Sequence, residues 1–144
     1  MFIASVNGSK LNYINTKLSG TTFSCKTKTL GQFKLVKDEV APVVKMTKSI
    51  QDKWITNQKN IEIQIADALS GIKTYTGYLN DQWVLFEYDN KTRTITHYFN
   101  DDFLLNGANE LKVIVTDAMG NSTTFETHFF RNRITKKITI KTQK

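Results

Sequence analysis

"ELKVIVTDAMGNSTTFETHFF" (residues 110–130) decides the fold, because two alternating apolar runs are joined there by one short polar hexapeptide. Leu111, Val113 and Val115 recur at every second position of "ELKVIVTD" (110–117), the period of a half-buried strand rather than a helix. "STTFETHFF" (122–130) reads as a second strand, and "TDAMGN" (116–121) supplies the turn between them. An aspartate accepts backbone N–H groups of its own turn and glycine supplies a positive φ, so backbone geometry alone accounts for Asp117, Gly120 and Asn121. "ADALSG" (66–71) repeats the arrangement: Ile65-Ala-Asp67 and Val115-Thr-Asp117 each end an apolar strand on aspartate, and alanine follows both times.

The same period extends outward. Ile61, Ile63 and Ile65 alternate with Glu62 and Gln64 in "NIEIQIAD" (60–67). "IKTYTGYLN" (72–80) offers Ile72, Tyr75, Tyr78 and Leu79 to a core. Asn80-Asp81 signals a tight turn, and "QWVLFEYD" (82–89) follows as the hairpin partner. Asp89-Asn90-Lys91 turns the chain again into "TRTITHYF" (92–99). With "VVKMT" (43–47), this predicts seven strands in about 90 residues, joined by short turns and without a helix. That spacing is all-β: an antiparallel sandwich of immunoglobulin or fibronectin type III shape. Cys25 is the single cysteine, so the sandwich has no disulfide between its sheets. Trp54 and Trp83 are expected to anchor the core or its edges.

"MFIASVNG", "KLNYINT", "TTFSCKT" and "QFKLVKD" give residues 1–41 four further β-like stretches, with a hairpin signal at Asn7-Gly8. Four short strands are too few for a sandwich of their own. "KDEVAPVV" (37–44) reads as a linker, with Ala41-Pro42 holding the chain extended. The expected organisation is therefore the C-terminal part of a preceding β domain plus linker (1–41), an Ig-like sandwich (42–131) and a basic tail (132–144). The alternative lets the first strands extend the sandwich's own sheet.

Net charge is +7 over 144 residues, but it is unevenly spread. Residues 1–41 carry six lysines against Asp38 and Glu39, a balance of +4; residues 42–130 balance at −3; residues 131–144 carry +6 with no acid. The acidic centre offers no continuous basic face for phosphates, so nucleic acid is not expected as a partner. No apolar run approaches the roughly 20 residues that span a bilayer, so the chain is expected not to be transmembrane. No signal peptide precedes the strands, so the expectation is a cytosolic protein or a piece of an exported one.

"DALSGIKTYTGYLNDQWVLFEYD" and "NGANELKVIVTDAMGNSTTF" together resemble bacterial Ig-like domains, at Asp67, Ser70, Gly71, Ile72, Trp83, Gly107, Asp117, Gly120 and Asn121. More narrowly, "GIKTYTGYLNDQWVLFEYD" is similar to the C-terminal accessory region of exported zinc murein endopeptidases of the lysostaphin type. The resemblance covers residues 30–130 and implies an extracytoplasmic setting: periplasmic, outer-membrane-associated or secreted. It further implies other domains of the same polypeptide, and a protein or cell-wall glycan as partner. Such peptidases hold zinc through a His, an Asp and a His-x-His pair. This chain has only His97 and His128, too few for a three-ligand zinc site, so no enzyme is expected within it.

Three groups of residues are candidate sites. If the strands following the sandwich pattern bring both Asp turns and the linker to one end, Asp38, Glu39, Asp67, Asp117 and Asn121 gather there as hard oxygen donors suited to calcium. Their spacing contains no local calcium loop, and the turn reading takes precedence. Tyr75, Tyr78, Trp83 and Tyr88, with Phe86, crowd one hairpin; alternation sends some outward, where they suit a glycan or a protein contact. Against that stands simple cross-strand stabilisation. The tail "RNRITKKITIKTQK" suits anionic envelope polymers or mere solubility. Cys25 has no local base to activate it and reads as a small hydrophobe.

Overall fold

A computed structural model describes residues 1–100 and 102–132; the basic tail beyond Asn132 lies outside the described residues. Every element is a strand. Residues 42–132 form two four-stranded antiparallel sheets. The first orders β10 (Glu87–Asp89), β11 (Thr94–Tyr98), β7 (Asn60–Ala66) and β6 (Val43–Met46) side by side; the second orders β13 (Ser122–Arg131), β12 (Gly107–Asp117), β8 (Ile72–Leu79) and β9 (Gln82–Val84). First, second, fifth and sixth strands of this series share one sheet and the third, fourth, seventh and eighth the other, the two-layer arrangement of an immunoglobulin-type sandwich.

Alternation builds the core as expected. Ile61, Ile63 and Ile65 of β7 and Leu111, Val113 and Val115 of β12 are sealed from solvent and face each other across the layers. Each such side chain contributes about 1.5–3 kcal/mol of burial. Asn80 and Asp81 both take positive φ, 50° and 63°, the two-residue turn that matches strand twist between β8 and β9.

"QWVLFEYD" is not one strand. Gln82–Val84 pairs with β8, whereas Glu87–Asp89 pairs with β11 in the other sheet, so the chain changes layers at Leu85-Phe86. A glycine makes that crossing possible. A Cβ on Gly77 would lie 2.1 Å from the Phe86 ring, so the ring occupies the space a side chain would take. Neither tryptophan enters the core: Trp83 lies on the edge strand β9, and Trp54 stacks on Phe130 with ring centroids 5.2 Å apart. Trp54 belongs to a segment that covers the opposite edge, where Asp52 N–H donates to His128 O, Lys53 O accepts from Phe130 N–H and Ile55 N–H donates to Phe130 O. Tyr78 also points away from the core, as its partner Trp83 does.

Residues 1–36 make a three-stranded sheet, ordered β2 (Lys10–Tyr13), β1 (Phe2–Asn7) and β5 (Gln32–Val36), and a hairpin of β3 (Thr16–Ser19) with β4 (Thr22–Cys25). The Asn7-Gly8 turn forms as expected, with Gly8 at φ 62°. "KLNYINT" and "TTFSCKT" are redistributed, because Thr16 Oγ1 accepts from Ile3 N–H and starts a new strand there. Only Phe2, Ala4 and Val36 are buried in this part, and Leu69 and Met119 of the sandwich pack against them.

Candidate functional site

The turn after β7, the turn after β12 and the linker entering β6 meet at one end of the sandwich. Each aspartate organises its own loop first. Asp67 Oδ2 accepts from Leu69 N–H (3.2 Å) and Gly71 N–H (2.8 Å). Asp117 Oδ1 accepts from Met119 N–H (2.8 Å) and Asn121 N–H (2.9 Å). Gly71 and Gly120, at φ 82° and 90°, provide the left-handed residue that each loop requires. Between Thr116 and Asp117 the pairing shifts register, with Lys73 of β8 as the extra, unpaired residue of a bulge.

The loops are then tied together. Ala118 N–H donates to Gly71 O at 3.0 Å. Asp38 Oδ2 accepts from Ser70 N–H at 3.1 Å, and its Oδ1 from Val40 N–H. Asn121 Nδ2 donates both to Asp117 Oδ2 (2.8 Å) and to Asp38 O (3.0 Å). Carboxylate oxygens of Asp38, Asp67 and Asp117 come within 4.8 Å of one another, and Asp38 and Asp117 are buried. Glu39 does not join them; it is exposed and paired with Lys37 at 2.7 Å.

"TDAMGN" and "ADALSG" thus share a second role. Met119 and Leu69 stand at the same place in the two loops, two residues after the aspartate, and both insert against Phe2, Ala4 and Val36. The polar residues of each turn hold its shape, and its apolar residue reaches into the neighbouring sheet. The echo between the two hexapeptides was visible in the sequence; the target of Leu69 and Met119 was not, since that depends on where residues 1–36 lie.

The four aromatic candidates divide into two pairs. Tyr78 and Trp83 are cross-strand partners on the outer face of the second sheet. Tyr75 and Tyr88 approach each other at 5.7 Å where the two sheets' edges meet, closing the sandwich. Trp83 instead joins residues absent from the sequence-based set. Leu85, Tyr98 and Phe103, each half or more exposed, line with it a groove of about 430 Å³ beside β9 and β11, rimmed by Glu87, Asn100 and Asp102. Phe103 is held at φ 63°, a strained conformation for a bulky side chain.

The strain is held by two asparagines. Asn80 Nδ2 donates to Phe103 O (2.7 Å) and to Asn109 Oδ1 (2.9 Å). The fully buried Asn109 accepts from Leu105 N–H (2.7 Å) and donates to Leu105 O and Gly107 O. The sequence marks Asn80 as part of a turn signal but does not single out Asn109.

The histidines and Cys25 do not converge. His97 is buried in β11 between Phe86 and Phe99; Nδ1–H donates to Leu85 O (2.9 Å), and Nε2 has no hydrogen-bond partner among the described residues. Burial lowers its pKa below the ordinary imidazole value, opposed in part by the Leu85 carbonyl. His128 lies on β13 in the other sheet and pairs with Asp52. Cys25 ends β4, half-buried and opposite Thr16.

No protein-family model and no curated protein matches this chain. Among solved structures, the chain is similar to fibronectin(III)-like modules of Clostridium thermocellum CbhA, at 16% identity over 97% of this chain and 83% of that one, with a TM-score of 0.49. It is also similar to CopC from Methylosinus trichosporium OB3b, at 13% identity over 62% and 94% of the two chains, TM-score 0.45. A third likeness is to SGBP-B of the Bacteroides ovatus mixed-linkage glucan utilization locus, in complex with a mixed-linkage heptasaccharide. Identity there is 16% over 72% of this chain and 28% of that one, with a TM-score of 0.44.

Proposed function

We propose that this chain is a non-catalytic Ig-like accessory and binding module of a multidomain exported bacterial protein, which positions a neighbouring domain and engages cell-envelope material. The observation that carries this reading is the junction: Leu69 and Met119 seat the N-terminal sheet, while Ser70 N–H and Asn121 Nδ2 tie Asp38 of the linker to the same end. A spacer with free hinges has no need of a buried aspartate in its linker. Amide hydrogen exchange tests the positioning role. Replacing both Leu69 and Met119 with alanine should speed exchange across residues 2–36 and leave β7 and β12 protected; uniform protection in the double variant would refute the junction.

The clasp needs no ion to hold its shape, since each of the three carboxylates already accepts two backbone N–H groups. Melting in a chelator and in millimolar calcium therefore gives the same midpoint; a rise in calcium would make the carboxylates a cation site as well. Binding is tested by retention on purified peptidoglycan over a series of salt concentrations. Absence of retention at low salt would leave a spacer alone.

A second reading makes the chain the C-terminal piece of a murein endopeptidase whose zinc site lies elsewhere in the polypeptide. It is favoured by the "GIKTYTGYLNDQWVLFEYD" pattern. Chelator-sensitive peptidoglycan turnover by this chain alone would overturn both readings.

A further inference from the structure

The groove beside Trp83 rests on observations independent of the junction. Its lining brings together the exposed side chains of Trp83, Leu85, Tyr98 and Phe103, and clustered exposed apolar groups mark contact sites. Phe103 is not exposed through slack: a positive φ presents it, and Asn80 and the buried Asn109 hold the loop in that shape. Strain kept in place by a saturated hydrogen-bond network is found where a side chain must be presented. The volume is that of a small-molecule site.

Charge narrows the occupant. Glu87 and Asp102 rim the groove, and among the described residues no lysine or arginine lines it. The wall behind is formed in part by His97, whose Nε2 is itself sealed from solvent. A site rich in acceptors around aromatic faces excludes anionic polymers and suits a ligand with apolar C–H faces and many hydroxyl donors. Resting on the binding half of the proposed function, we infer that this groove is the binding site for a neutral glycan, whose sugar faces stack on Trp83 and Phe103 while Glu87 and Asp102 accept from its hydroxyls.

The test uses the whole chain and chitohexaose, an uncharged β-linked oligosaccharide, followed by tryptophan fluorescence and calorimetry. Saturable binding is expected. Trp83→Ala and Phe103→Ala should each weaken it at least about tenfold, the scale of an anchoring aromatic. Their melting temperatures should hold, because both side chains are half or more exposed. Trp54→Phe, at the opposite edge of the sheet, should bind as the parent does. Absence of saturation at millimolar chitohexaose, equal affinity of Trp83→Ala and parent, or saturation only by a lysine hexapeptide would each overturn the glycan site. Retention on peptidoglycan without saturable chitohexaose binding would overturn the groove while the wider binding role stands.

Discussion

The sandwich and the N-terminal sheet are built from the same kind of alternating strand, yet only one of them closes. In the sandwich, isoleucines of β7 and valines of β12 meet from opposite layers, and each layer completes the other. In the N-terminal part, one sheet buries Phe2, Ala4 and Val36 but has no second layer of its own, and Phe33, Leu35 and Leu18 remain exposed. Its missing layer is supplied in part by two loop residues of the sandwich, Leu69 and Met119. The difference shows that strand pattern sets local structure, whereas independence requires two faces that bury each other.

The contrast is broken most severely by removing a core ring from each side. Phe129→Ala should cost about 3–5 kcal/mol, lowering the sandwich's denaturant midpoint and taking the N-terminal sheet with it. Phe2→Ala should expose the N-terminal sheet to exchange and proteolysis while β7, β8 and β12 stay protected. If Phe2→Ala lowers the sandwich's own transition equally, the two parts are one cooperative unit.

Removing the clasp comes next. Asp117→Ala leaves the N–H groups of Met119 and Asn121 without their acceptor and takes one of two acceptors from Asn121 Nδ2, so a loss of about 3 kcal/mol is expected, with Asp117→Asn recovering part of it. A denaturation series on both variants decides it. Within the sandwich, Gly77→Ala should cost about 2 kcal/mol by driving a methyl into the Phe86 ring. Adding Phe86→Leu to Gly77→Ala should cost less than the two single losses summed. Strict additivity would mean the ring does not depend on the missing side chain.

The smallest effect is that of His97 on the response to pH. Its folded pKa lies below the ordinary 6.5 because burial opposes the charged form. Above pH 6.5 both folded and unfolded chains carry it neutral, and it adds no pH dependence. As pH falls below 6.5 the unfolded chain takes up the proton first, so stability falls toward the lower folded value. Denaturation at pH 8, 6.5 and 5.5 should show a shallower acid decline for His97→Gln than for the parent; parallel curves would place the acid sensitivity on other groups.

Much of this architecture is legible in the sequence. Period-two alternation at 61–65 and 111–115, Asn80-Asp81, Asn7-Gly8 and the paired aspartate turns are local signals, and each formed as expected because neighbours in sequence suffice to specify it. The convergence of Asp38, Asp67 and Asp117 followed from sandwich topology alone. Misplaced features were mostly non-local. "QWVLFEYD" looks continuous, but a missing Cβ at Gly77 lets Phe86 cross between layers. Tyr78 sits on the outer face with Trp83, and Glu39 turns to Lys37 instead of the clasp. The groove escaped notice because Tyr98 and Phe103 come from a different strand and loop than Trp83, and Asn109 acts only through partners distant in the chain.

By itself, then, the order of residues determined which segments are strands, where they turn, and that the acids of two turns serve their own backbones. Only the tertiary structure decided which loop residue plugs which sheet and which aromatic rings share a surface. The physical reason is range: hydrogen-bond caps and side-chain alternation act within a few residues, whereas burial and stacking depend on which faces the folded layers bring together.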